Sequence, residues 1–98
     1  MDVINPNSDY NIYIGGKPLM NYATAVVIQF TTKNASKVIV KSRGKFISRA
    51  VDVVEIVKNR FLKDQIKVDS ININSEGFVN REGRPVRVST MEIVLGKK

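Results

Sequence analysis

The chain has 98 residues, 43% of them hydrophobic, and carries a formal charge of +7 with a pI near 9.9. That length supports one core and an ordinary globular domain. There is no cysteine and no histidine, which excludes disulfides and thiol chemistry and removes the commonest metal ligand and general base. No apolar run approaches the roughly 18 residues of a membrane span, so no membrane partner is expected. The polar N-terminus (Asn5-Pro6-Asn7-Ser8-Asp9) has none of the marks of a signal peptide, and the missing cysteines fit a reducing interior such as the cytoplasm.

Residues 1–8 are expected to form a flexible tail and residues 9–98 a single domain. Tyr10, Ile12 and Ile14 alternate with mixed residues and predict a first strand. Gly15-Gly16 breaks it, and Pro18 suits the first turn of a helix because its missing N–H is not needed there. Leu19, Tyr22, Ala23, Val26 and Phe30 recur at helical spacing, so residues 18–33 read as a helix ended by Asn34-Ala35-Ser36. Residues 37–42 read as a second strand with a continuous apolar centre. A second helix runs from about residue 45 to 62, with Ile47, Ala50, Val51, Val54, Val57 and Phe61 along one side. Phe46, Val53 and Ile56 widen that apolar arc well past the roughly 100° a surface helix needs, so the excess is covered within the monomer or by another subunit.

Residues 66–76 and 85–95 read as two long strands joined by a loop rich in Gly and Arg. Ten residues of strand span roughly 33 Å, against about 24 Å for each helix, so the hairpin should outreach the body. Its apolar parity shifts along both strands, from Ile66 and Val68 to Ile71 and Ile73, and from Val86 and Val88 to Met91, Ile93 and Leu95. Matched shifts predict bulges or strong twist, with the distal half leaving the core face. The order β-α-β-α-β-β predicts an α+β two-layer sandwich, with a mixed four-stranded sheet, two helices and a protruding hairpin. A right-handed crossover between two parallel strands would put both strand-to-helix loops at one edge of the sheet, where such sheets bind ligands.

The charge is unevenly placed. Residues 1–40 carry +1 and residues 50–70 carry none, whereas the nine residues 41–49 carry +4 and residues 71–98 carry +2. The dense stretch is Lys41-Ser42-Arg43-Gly44-Lys45-Phe46-Ile47-Ser48-Arg49, where a strand gives way to a helix. Free N–H groups and the positive end of the dipole make a helix start receptive to phosphate, and basic side chains there cost stability unless an anion answers them. Arg43 can fork onto phosphate, Lys45 is a point charge, and Gly44 lets backbone approach. Lys17 in the first loop would join them. A solvated basic surface without a partner is the plain alternative. Gly15-Gly16-Lys17 is too short for a nucleotide phosphate loop, and Pro18 stands where Ser or Thr is needed. Its roles are backbone approach with one cation, or a simple turn. Arg81, Arg84 and Arg87 stud the hairpin, either to enter a narrow groove or to keep an exposed edge soluble. Asp52 and Glu55 share a helix face, but with Lys58 beside them they read as a solvated surface rather than a metal-dependent nuclease centre.

Four segments together carry a family resemblance over about residues 10–98. They are Ile14-Gly15-Gly16-Lys17-Pro18-Leu19-Met20-Asn21-Tyr22, Lys41 to Asp52 (KSRGKFISRAVD), Asn59-Arg60-Phe61-Leu62, and Arg87-Val88-Ser89-Thr90-Met91-Glu92-Ile93. The chain resembles the Alba family of archaeal chromatin and nucleic-acid-binding proteins. The resemblance implies a fold like the C-terminal domain of a translation initiation factor. It also implies a non-enzymatic dimer that coats double-stranded DNA in the nucleoid, binds RNA with little sequence preference, and needs no cofactor. It assigns Lys17 as a central contact, flanked by Arg43 and Lys45, with Arg81, Arg84 and Arg87 on the arms. Gly16, Asn21 and Arg49 would be secondary contacts, and Phe61 would pack dimer against dimer on DNA or else fill the core. Many members carry a lysine pair in the first loop, the first of which is the acetylation switch; Gly16 takes its place here and leaves Lys17. The partner is a second copy or a related chain. A mainly RNA-binding role, in an RNA chaperone or an RNA-processing particle, is the second reading.

Overall fold

The computed structural model describes residues 10–98; the expected tail at residues 1–8 lies outside them. Strand β1 (Asn11–Tyr13) leads into helix α1 (Leu19–Thr31), then strand β2 (Lys37–Arg43). A short 3-10 turn (Gly44–Phe46) opens helix α2 (Ile47–Ile56), which ends in a wider π turn (Val57–Phe61). Strands β3 (Ile66–Val79) and β4 (Pro85–Lys97) form the long hairpin. The sheet order is β1-β2-β4-β3, with β1 parallel to β2 and the other pairs antiparallel. This is the expected α+β mixed sheet with two helices.

Period-2 and period-3.6 patterns converge on one core. Ile12, Val38, Val40, Ile93 and Leu95 from the sheet meet Ala23, Val26 and Phe30 of α1 and Ala50, Val53, Val54 and Val57 of α2. Helix α1 ends where Asn34 takes a left-handed backbone (φ 54°) and the Ala35 N–H bonds the Gln29 carbonyl at 2.9 Å, satisfying a carbonyl the helix leaves open. Pro18 stands just before the first helical residue rather than within the first turn.

Two expectations change. The buried side of α2 is Ala50, Val53, Val54 and Val57, whereas Val51 and Phe61 are 43% and 44% exposed. The π turn causes the second difference: the Leu62 N–H bonds the Val57 carbonyl five residues back, at 2.8 Å, so the last turn is wider and underwound relative to a 3.6 period. Phe46 and Ile56, from the same wide apolar arc, pack on the monomer's own core, while Ile47 is half-buried outside it.

The hairpin also departs from the matched bulges. Only β3 is bulged, at Asp69, between Val68 and Ser70. Strand β4 keeps register throughout, so Val86 and Val88 lie on the opposite face from Met91, Ile93 and Leu95. They share that face with Phe78 and Glu76, their cross-strand partners. Ile71 and Ile73 pair with Ile93 and Met91 on the helix side but are 55% and 76% exposed, because they lie past the cover of α2.

Candidate nucleic-acid interface

Because β1 and β2 are parallel, their carboxyl ends and the loops that follow share one edge of the sheet. Specific bonds then lock the two loops. The Ile14 N–H donates to the Lys41 carbonyl at 2.9 Å. Arg49, on the first turn of α2, donates through Nε to the Gly15 carbonyl at 3.0 Å and through Nη2 to the Lys17 carbonyl. The Tyr22 hydroxyl accepts from the N–H groups of Gly15 (2.9 Å) and Lys17 (3.1 Å). The first loop is therefore held from both sides, by α1 and by α2, and Lys17 projects from a fixed backbone. Arg49, expected as a secondary contact, donates two of its five guanidinium N–H groups to the loop's backbone. Helical spacing marks Tyr22 only as core, and no pattern in the sequence announces what its hydroxyl does; a Cβ on Gly15 would lie 3.2 Å from that hydroxyl.

Both helices begin at this edge with no side-chain cap and no acidic residue in the first turn. Their positive ends are left unanswered, which suits an anion. Gly44 has φ +57°, and a Cβ there would sit 3.1 Å from Val88 Cγ2. The basic turn thus packs flush on the hairpin, a reason for glycine that concerns packing as well as backbone approach. Gly16, by contrast, is exposed, with no atom within 4 Å of a Cβ placed on it. Asn21 lies exposed in the first turn of α1 beside that loop.

The arm begins at Arg43. Its guanidinium lies 5.8 Å from the Phe78 ring and 3.4 Å from Glu76, both on β3. Lys45 lies over the Phe46 ring at 5.5 Å. Farther out, the Arg87 Nη2 donates to Ser75 Oγ at 2.8 Å, spanning the two strands. The tip is a built turn: Asn80 Oδ1 accepts from the N–H groups of Glu82 and Arg84, and Gly83 takes φ +80°. Arg81 and Arg84 project from it, exposed. Among the described residues, Lys17, Lys45, Arg81, Arg84 and Arg87 have no acidic partner, whereas Arg43 has one. The path from Lys17 through Arg43 to the tip follows one edge and then one ribbon. Glu55, the other half of the carboxylate pair, is held by Lys58 at 3.4 Å and Asn59 at 3.3 Å, and no cluster of metal-ligating side chains occurs among the described residues.

The profile of the Alba family matches residues 11–75 of this chain. A DNA/RNA-binding protein Alba of Methanococcus maripaludis is 47% identical over 89 residues, covering 91% of this chain and 99% of the relative. The chain belongs to the Alba family. That family binds nucleic acid and is not enzymatic. Alba from Thermoplasma volcanium superposes with a TM-score of 0.80 at 45% identity, over 88% of this chain and 98% of that one. ALBA1 from Trypanosoma brucei shares the fold, with a TM-score of 0.70 at 21% identity over 90% of this chain and 68% of its own. The family's βαβαββ order is the one described above, with its two strand-to-helix loops at one edge.

Proposed function

We propose that this protein is a dimeric architectural protein that binds double-stranded DNA, and also RNA, without sequence preference, associated with the chromosome in the cytoplasm. The observation that carries this reading is the locked rim: two loops far apart in sequence, tied together by Arg49, present Lys17, Arg43 and Lys45 beside two uncapped helix starts. Charge delivered from a rigid backbone reads the phosphate polymer, and nothing along the rim is shaped to read a base edge in a groove. The DNA/RNA-binding name of the Methanococcus maripaludis relative supports both polymers as partners. Arg81, Arg84 and Arg87 extend the contact along the duplex, Gly16 and Asn21 line the rim, and Phe61, half exposed on the π turn, packs neighbouring dimers together.

The dimer surface in this reading is the apolar strip left open on the helix side: Ile71 and Ile73 of β3 with Ile47 and Val51 of α2. Pairing with a second copy removes that strip from water.

The test is a titration of several unrelated duplexes with the double variant Arg43→Glu, Lys45→Glu. Affinity should drop by at least about tenfold, equally for all of them, since backbone charge supplies nonspecific binding. Unchanged affinity, or loss confined to one sequence, overturns the reading.

A further inference from the structure

Beside the rim, where the ends of β1 and β2 and the basic turn meet the hairpin, lies a cleft of about 390 Å3. That volume falls within the roughly 300–1,000 Å3 of small-ligand pockets. Its walls include Tyr13, Lys41, Arg43, Phe46, Thr90 and Glu92. Tyr13 ends the edge strand β1 and is 68% exposed, an unusual position for an aromatic ring on a sheet whose other face is full. The Lys41 ammonium stands 5.7 Å from its ring centroid and 3.5 Å from Glu92.

The chemistry of the walls selects the occupant. A phosphate would meet two carboxylates, Glu92 and the Glu76 that pairs with Arg43, and would be repelled. A flat neutral ring with donors and acceptors on its edge meets what it needs: an aromatic face for stacking, Lys41 and Arg43 as donors, Glu92 and Thr90 as acceptors. A protein partner would need a wider apolar surface than this narrow, charge-paired cleft. Bases inside a duplex are already stacked and do not reach it. The cleft is also continuous with the rim through Arg43, so a strand whose phosphates follow the rim passes its mouth.

We infer that this cleft is a nucleobase site, in which an unstacked base of a single-stranded segment lies on Tyr13 while its phosphates remain on Lys17, Arg43 and Lys45. The inference rests on the rim reading above. It gives the protein a second binding mode for loops, bulges and single strands, in which stacking adds to charge. Such stacking accepts any base, so the mode is selective for strandedness rather than for sequence.

The experiment measures anisotropy of labelled oligouridine, oligothymidine and a mixed-sequence duplex at one salt concentration, for wild type, Tyr13→Leu, Tyr13→Phe and the Arg43→Glu, Lys45→Glu double variant. Tyr13→Leu should weaken oligouridine about five- to tenfold, while Tyr13→Phe stays within about twofold, because the ring and not the hydroxyl stacks. Duplex affinity and the unfolding midpoint should not move in either Tyr13 variant. Equal losses for oligothymidine assign the site to a base from either polymer; a loss for oligouridine alone assigns it to RNA through the added 2′-hydroxyl. Oligouridine binding by Tyr13→Leu at wild-type strength, or an equal loss on duplex, overturns the nucleobase site. If the double variant binds every probe at wild-type strength, the rim reading fails, and the Tyr13 comparison still decides the cleft by itself.

Discussion

At the scale of single residues, the first loop depends on a hydroxyl. Two backbone N–H groups, of Gly15 and Lys17, converge on Tyr22 Oη. Removing the acceptor leaves both donors to find water, and Gly15 is only partly exposed. Tyr22→Phe should therefore destabilise the fold by about 1–3 kcal/mol in urea unfolding, with the ring's packing kept. Duplex affinity should fall as well, because Lys17 then projects from a loosened backbone. A variant as stable as wild type would show that Arg49 alone holds the loop. Gly16 illustrates the reverse case. It sits in open space, so a lysine placed there would meet no steric obstacle, and glycine lowers the loop's charge without being demanded by the backbone.

Among the elements, the junction between the body and the hairpin is set by Arg43, whose guanidinium is shared between Glu76 and the Phe78 ring. Both members of that ion pair are more than half exposed, so it contributes at most about 1 kcal/mol to stability. Its larger effect is on binding, since Glu76 competes with phosphate for the same guanidinium. Glu76→Gln should leave stability nearly unchanged and raise duplex affinity by about two- to fivefold, the most that freeing such a weak pair can supply. Lower affinity in this variant, measured at the same salt, would mean that Glu76 holds Arg43 in its binding position instead. The same junction shows what the sequence could and could not disclose. The meeting of the two loops was legible, because parallel strands joined through a helix leave no other place for them. The parity shift in the hairpin was legible too, but not its cause. Parity cannot distinguish a bulge, as at Asp69, from an unbroken strand such as β4 whose apolar residues turn to a new neighbour. Val88 faces away from the helices because the Gly44 turn packs on it there. Phe61 lies at helical spacing in the sequence, and a π turn that no residue pattern announces carries it outward.

For the whole molecule, the open question is how many protomers meet the nucleic acid at once. Strand β3 has 14 residues, enough at roughly 3.3 Å each to span about 46 Å, the same as the longest extent of the described chain, 46 Å. A ribbon that long leaves Ile71 and Ile73 uncovered beyond α2, with Ile73 76% exposed. A charge at such a position costs the monomer little, within about 0.5 kcal/mol, because the side chain is already in water. In a dimer closed over that strip, the same charge is buried against apolar side chains and is strongly unfavourable. Ile73→Asp should therefore leave the protomer folded by circular dichroism yet sediment as a monomer where wild type sediments as a dimer. The number of phosphates neutralised should change with it. With about four to six contacts per protomer, the slope of log K against log salt is about −7 to −11 for a dimer and about −4 to −5 for a monomer. Both readouts must move together. A wild-type chain that sediments as a monomer at binding concentrations, or an Ile73→Asp variant that keeps both its mass and its slope, would place the second protomer elsewhere or remove it, and leave the rim of one chain to carry the contact alone.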